Sequence, residues 1–505
     1  MSASGDSYRQ ILRSSSIIGG AQAASYLIGL VRVKLVAILL GPSGVGLVGL
    51  YTSAAGLVGI VSGLGVSSSA VREIVRAYGS EDEVEAARTT RILRRVCWFV
   101  GLFGWAIMIV FREPLSEAIS GSRTHAPALA LLGSTLLLNT ISAGQLALLQ
   151  GLRRISDLAR AEIFAATAGS IVTLVIYAFM GEAGVAPAMI ASSAIGLGFS
   201  FLFARQVEVA AIGVDWRETW AGFRRLAGLG LAFMWSGVVS AGLDMLMRAL
   251  VLRKFGIASA GMYQASWAAS GVFANFVLTA MSADFYPRLT IAIHDRELAT
   301  NTVNEQTEIG ILLALPGLVG VLTFAPLVMS LLYTSEFHVA ADMLPWMALA
   351  VLFRVICWPL GYVQLAAGAS RAFALSETSF FLAQAGLAFG LVEMFGLMGV
   401  AYALPAAFAL YSALTLAVAY HLIGFTWSPG ALHLIAIAAA LVVVTFLAHA
   451  FLPPGANLIV GGALTLGAAV FSLRELATRV GSDHRLIRWA ARLPVLRGRL
   501  LGPGR

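Results

Sequence analysis

The chain has 505 residues, of which 59% are hydrophobic and only 12% charged, with a net charge of +8. A soluble chain carries roughly 25% charge, so this one has too few charges to cover a water-facing surface, and lipid is the expected solvent. Two cysteines, Cys97 and Cys357, lie far apart in apolar runs. They read as small core residues, which excludes a disulfide scaffold, a structural zinc site and an iron–sulfur cluster.

The polar start, Met1 to Arg13, precedes an apolar run long enough to span and without a small-residue cleavage site after it, so no signal peptide is expected. A span needs about 20 apolar residues. Fourteen such segments are predicted: 14–40, 45–68, 95–111, 127–150, 160–180, 185–204, 226–252, 258–283, 307–332, 341–367, 373–394, 398–422, 431–452 and 456–473. They are continuously apolar rather than alternating, which excludes a β-barrel. With the N-terminus inside, 26 Lys and Arg residues fall in inside segments and 4 in outside ones (Arg112, Arg123, Arg253 and Lys254). That bias predicts both termini inside and accounts for a basic chain without invoking nucleic acid.

The longer connections are on the inside, near 69–94, 205–225 and 284–306. In the second, Trp216, Trp220 and Phe223 interleave with Arg217, Arg224 and Arg225, the pattern of an interfacial helix. The tail, 474–505, repeats it with Leu486, Ile487, Trp489 and Leu493 against Arg485, Arg488 and Arg492. Anchoring on the membrane surface is the plain reading, a lipid headgroup or partner the sharper one.

An internal repeat appears at an offset of 215 residues. Gly41-Pro-Ser-Gly-Val-Gly46 matches Gly256-Ile-Ala-Ser-Ala-Gly261, and Gly181-Glu-Ala-Gly-Val-Ala186 matches Gly396-Leu-Met-Gly-Val-Ala401. Both matches fall at predicted outside turns. Six spans map on six, so the halves keep one orientation and the repeat is parallel, as in transporters whose substrate passes between two rocking lobes. The predicted fold is all-α and polytopic, with an N-lobe at 1–210, a C-lobe at 211–425, an appended helix pair at 426–473 and a basic amphipathic tail at 474–505.

Charges within spans are expensive and point to function. Arg32 lies nine residues before Gly41 and Arg248 eight before Gly256, at matching depth in spans 1 and 7. Arg32 thus sits roughly 12 to 14 Å below the outer end of its helix. The pair suggests a cationic cavity; pairing of Arg248 with Asp244 one turn away is the structural alternative. Lys34 faces elsewhere and either touches substrate or snorkels. Arg354 is mid-span and maps on Asn139. Trp346 and Trp358 on the same helix either stack on a sugar or mark interfaces. Glu162 and Glu377, again 215 apart, are gate carboxylates or helix-start charges. Asp244 is the deepest acid and the better candidate for ion coupling. Asn139, Gln145, Gln264 and Asn275 either line a hydrophilic route or bond between helices. His421, His433 and His449 have no partner ligand at metal-binding spacing. No Walker A motif, nucleophile elbow or HExxH is present, and no cofactor is expected.

The stretch Gly29-Leu-Val-Arg-Val-Lys-Leu-Val-Ala-Ile-Leu-Leu-Gly-Pro-Ser-Gly-Val-Gly-Leu-Val-Gly49 resembles the start of Wzx-type lipid-linked oligosaccharide flippases, which include O-antigen and enterobacterial common antigen translocases. Gly63-Leu-Gly-Val, the basic loop from Arg72, Met281-Ser-Ala-Asp-Phe-Tyr-Pro-Arg-Leu-Thr290 and Leu331-Leu-Tyr-Thr-Ser-Glu-Phe337 extend the likeness across about residues 10–425. The resemblance implies the multidrug/oligosaccharidyl-lipid/polysaccharide exporter fold, two six-helix lobes in a V, in a bacterial inner membrane. It also implies flipping of an undecaprenyl-diphosphate-linked oligosaccharide from the cytoplasmic to the periplasmic leaflet, in polysaccharide and lipopolysaccharide synthesis, beside polysaccharide assembly proteins. Arginine forks suit a diphosphate, so cavity roles are carried onto Arg32, Arg248 and Arg354, with Lys34 weaker. Relatives commonly stop at twelve spans; the extra pair resembles fourteen-span lipid II flippases. Two other readings compete. A drug exporter would want acids to dominate the cavity, and a glycan polymerase or ligase would want a sizeable outside loop.

Overall fold

The computed structural model describes residues 3–480 except 64–72, 75, 79–81, 153, 208 and 211. The side chains of 3–24, 26, 83, 225–233, 236, 272–277, 279–284, 287, 450, 454 and 480 also lie outside the described residues. So does most of the tail that the sequence reads as amphipathic.

Among the described residues all regular structure is helical. The helices are α1 (Ala3–Gly63), α2 (Glu83–Val110), α3 (Arg112–Ser120), α4 (Ala126–Gly151), α5 (Ile155–Met180), α6 (Val185–Ala204), α7 (Trp216–Ala292), α8 (Arg296–Leu332), α9 (His338–Ala366), α10 (Ser370–Phe395), α11 (Met398–Ile423), α12 (Pro429–Phe451) and α13 (Pro454–Val480). In hydrocarbon each backbone polar group needs an internal partner, which a continuous helix supplies. Where helices start in water, side chains cap them. Asp82 accepts from the Val84 and Glu85 amides at 2.9 and 3.1 Å, and Asp295 from those of Glu297 and Leu298 at 3.0 and 3.1 Å. Ten described stretches are long and apolar enough to cross a membrane. One of them, Leu27–Gly63, includes a sharp bend, and another, Ile155–Ala204, covers both α5 and α6. The protein is a multi-pass membrane protein.

α1 and α7 are each two arms joined at one residue. Gly41 has φ 61 and ψ −169, and Gly256 has φ 84 and ψ 176. Glycine alone enters this region without a side-chain clash. Pro42 then starts the second arm of α1, where its missing N–H costs nothing. The two bends lie 215 residues apart, the offset of the sequence repeat. The second matched pair behaves alike: Gly181 has φ 56 and ψ −138, Gly396 φ 59 and ψ −140. α5 and α10, which precede them, begin and end at residues with the same offset.

The chain forms two compact units, one of residues 1–264 with 332–336, the other of 265–331 with 337–505; the boundary falls inside α7. In the first unit the second arm of α1 contributes Leu50, Tyr51, Ala54 and Val58 to a core with Met108 of α2, Leu129 and Leu132 of α4, and Val185 of α6. A second cluster holds Cys97, buried as expected, with Ile92, Val96 and Leu148. In the other unit Ile311, Leu315 and Leu322 of α8 meet Val351 and Val355 of α9, Leu434 and Val442 of α12 and Ala468 of α13. Outward side chains stay apolar, with Phe179 87% and Ile459 76% exposed, as lipid contact requires.

Candidate functional site

The site is built where α1 and α7 approach within the first unit. The second arm of α1 and the second arm of α7 cross backbone to backbone. A Cβ on Gly46 would stand 2.5 Å from the Ile257 carbonyl oxygen, and one on Gly261 would collide with that of Pro42. Pro42 and Ile257, like Gly46 and Gly261, are 215 residues apart, so each arm makes the same contact with the other. One turn further, Gly49 faces Gln264, also its repeat equivalent: a Cβ on Gly49 would stand 2.6 Å from Gln264 Oε1. The absent side chain gives Gln264 room to lie across the crossing.

Gln264 Oε1 accepts from Arg248 Nε at 2.7 Å. Arg248 Nη1 donates to the Asp244 carbonyl at 3.1 Å and is ion-paired with Asp244 Oδ2. Arg248 is buried, 5% exposed. The structural alternative for this arginine is therefore realised, since Asp244 one turn earlier holds it. Asp244 Oδ1 is buried with no hydrogen-bond partner. Tyr263, fully buried on the second arm of α7, is in electrostatic contact with both Arg248 and Asp244.

Arg32, at the equivalent depth in α1, is exposed and makes no hydrogen bond among the described residues. Its charge reaches the Tyr177 hydroxyl of α5. Lys34 donates from Nζ to the Tyr333 carbonyl and so ties α1 to the segment 332–336. The structure thus puts Arg248, Asp244 and Gln264 in one network and directs Lys34 elsewhere. Asn139 and Glu162 are exposed and make no hydrogen bond among the described residues. Gln145 is buried with an unpartnered Oε1. The side chain of Asn275 lies outside the described residues.

The second unit gathers another pair of the candidates. Arg354 of α9, half-buried, is in electrostatic contact with Glu377 of α10. Tyr411 of α11 donates to Glu377 Oε1 at 2.6 Å, and Phe380 packs on Tyr411 at 5.1 Å between ring centroids. Tyr411 was not singled out by the sequence, and its repeat equivalent is Gly196, so the offset gave no signal. Trp346 packs against Tyr402 and Phe446, and Trp358 against Phe285 and Tyr362, so both tryptophans have aromatic neighbours rather than open faces.

A third network was also missed. Glu308 of α8 accepts from Ser428 Oγ at 3.0 Å and Arg479 Nε at 2.9 Å, and Arg479 also pairs with Glu475 one turn earlier. Asn304 joins it, donating to the Thr426 carbonyl at 3.0 Å and accepting from the Ser428 amide at 2.9 Å. This polar knot fixes both appended helices, α12 and α13, to α8. The spacing of Glu475 and Arg479 was its one visible sign. Among the described residues no cluster of three His, Cys, Asp or Glu side chains is placed to hold a metal.

Residues 35–342, which contain both halves of the α1–α7 crossing, match a family described as polysaccharide biosynthesis protein. The chain belongs to this family. Like the lipid III flippases of Escherichia coli (strain K12) and Shigella flexneri, it carries the whole region: each is 22% identical over 408 residues, covering 78% of this chain and 95% of the relative. Solved structures share the fold. The lipid II flippase MurJ in an inward closed conformation covers 92% of this chain and 99% of its own at TM-score 0.65 and 13% identity. An inward-facing MATE-family multidrug transporter covers 79% and 94% at TM-score 0.64 and 17% identity. The fold is that of the multidrug/oligosaccharidyl-lipid/polysaccharide superfamily, and this member of the polysaccharide biosynthesis family is a transporter rather than an enzyme.

Proposed function

We propose that the protein flips an undecaprenyl-diphosphate-linked oligosaccharide from the cytoplasmic to the periplasmic leaflet of the bacterial inner membrane. The observation that carries this is the pair of intramembrane arginines, Arg32 and Arg248, at equivalent depths of repeat-related helix arms. A guanidinium fork matches the diphosphate in charge and geometry. The family match and the name of the lipid III flippase relatives support a lipid-linked precursor in polysaccharide synthesis, with O-antigen as one such product. Arg354, with Glu377 and Tyr411 around it, adds a second cationic patch in the other unit, and Lys34 a weaker one.

The remainder of the reading follows the repeat. Fourteen spans run with both termini inside, as lobes 1–210 and 211–425 with an appended pair 426–473 and a basic tail. Transport is by alternating access, coupled to an ion gradient or the membrane potential, with Asp244, Glu162 and Glu377 as coupling or gating groups. Asn139, Gln145, Gln264 and Asn275 line the polar route, and assembly proteins take the flipped product. The MATE-family neighbours favour a second reading, a drug exporter. Its cationic cargo would be repelled by Arg32 and Arg248.

The test is leaflet-resolved flipping of a labelled undecaprenyl-diphosphate oligosaccharide in proteoliposomes. Wild type flips, while Arg32→Ala and Arg248→Ala do not, although both reach the membrane. Wild-type protein that moves no lipid under any ion gradient, but does move a cationic drug, would overturn the reading.

A further inference from the structure

Arg32 and Arg248 occupy equivalent depths in opposite electrostatic states. One turn before Arg32 stand Ile28 and Gly29, which carry no charge. One turn before Arg248 stands Asp244, which holds it. Arg32 is exposed and Arg248 buried. The carboxylate on Arg248 is itself half-used: Oδ2 makes the ion pair and Oδ1 is buried without a hydrogen-bond partner. A buried acceptor left unpaired is costly, and a proton arriving there relieves the charge that makes it so.

We propose that Arg32 is a standing anion hook and Arg248 a conditional one, freed when a proton from solvent binds the idle Oδ1 of Asp244. The inference rests on the flippase reading and adds an order to it. In the resting state Arg32 alone meets the diphosphate. Once Asp244 is neutral, Arg248 Nη1 loses its ionic partner and turns to phosphate oxygen. The proton returns to solvent when Arg248 goes back to Asp244. Substrate phosphate and Asp244 therefore compete for one guanidinium, which is how proton binding and anion binding become linked free energies.

Gln264 is the positioning residue of this exchange. Its Oε1 keeps Arg248 Nε at 2.7 Å, so the plane of the guanidinium stays fixed while the other nitrogen changes partner. The charged and titratable groups against Asp244 are Arg248 on its own arm and Tyr263 across the kink. The facing arm of α1 brings Gly49, not a charge, against Gln264.

The experiment uses the full chain in nanodiscs, with phenylglyoxal labelling of arginines read by peptide mass spectrometry. In wild type, Arg32 is labelled and Arg248 reacts about 10-fold slower or less, as expected of a guanidinium held in a buried pair. Asp244→Asn raises the Arg248 rate and Asp244→Glu restores protection. Undecaprenyl diphosphate then binds Asp244→Asn about 10-fold tighter than wild type, the size of a typical coupling, and the gain vanishes when Arg248→Gln is added. Arg248 labelling unchanged by Asp244→Asn, or an affinity gain that survives Arg248→Gln, would overturn the lock. The expected labelling with no undecaprenyl diphosphate binding by any variant keeps the lock and sinks the lipid-diphosphate substrate instead.

Discussion

At the scale of single residues, the polar groups divide into those locked by a neighbour and those left facing outward. His125, outside the spans at the start of α4, belongs to the first kind. Its Nδ1 lies 3.0 Å from the Tyr51 hydroxyl, and burial holds its pKa below the ordinary imidazole value. The folded form thus prefers the neutral ring. Between the depressed pKa and about 6.5 the unfolded chain binds a proton that the folded chain does not. The stability from this contact is therefore complete above about pH 6.5 and is lost as pH falls below it. Thermal unfolding in detergent from pH 7 to 5 should show a decline that His125→Gln flattens; an equal decline in both would remove His125 from the account. Gly49 gives a second prediction at this scale. Gly49→Ala drives a methyl into Gln264, releases Arg248 Nε and lowers flipping, and the smaller Gln264→Ala side chain in the double variant restores packing but not transport. Full flipping by Gly49→Ala would contradict the role given to Gln264.

At the scale of helices, the knot around Glu308 decides how the appended pair is held. Glu308→Ala leaves Arg479 and the Ser428 hydroxyl without their shared acceptor, a loss of about 1–3 kcal/mol where the groups are buried. Arg479 is 27% and Glu308 16% exposed in their side chains, so solvent trims that figure. Melting in detergent should fall more for Glu308→Ala than for Ser428→Ala, which breaks one of the two bonds; equal shifts would show that Arg479 leans on Glu475 alone. Much of this level was legible. Runs of apolar residues located the helices because a membrane leaves a chain few alternatives. The glycine motifs located the bends because their backbone angles admit little else, as Gly41 and Gly256 show. The pair of Arg248 with Asp244 followed from i, i+4 spacing. Tyr411 on Glu377 and Ser428 on Glu308 did not, because those contacts join residues 34 and 120 positions apart and depend on how helices pack. Asn139, though the repeat partner of Arg354, stands exposed without a hydrogen bond among the described residues, so equivalence in sequence did not carry equivalence in surroundings.

At the scale of the whole molecule, charge bias orients the chain and the repeat organises it. Reporter fusions after residues 205 and 425 should both read cytoplasmic, and one after residue 121 periplasmic; the reverse pattern would invert the substrate's direction of travel. The crossing of Gly46 and Gly261 carries a longer history. Each arm touches the other through the same positions, Gly46 on Ile257 and Gly261 on Pro42. That reciprocity is what two identical subunits make about a two-fold axis. In such a pair every substitution appears twice. Position 49 and its counterpart 264 face each other, so glutamine on both sides would put two long side chains where one now lies against a glycine. Only after two copies became one gene could one face shrink to glycine while the other kept the amide that steadies Arg248. An ancestral dimer would have been confined to matched residues at its centre; the fused chain escaped that rule, and the site's single, lopsided arginine network is what the freedom made.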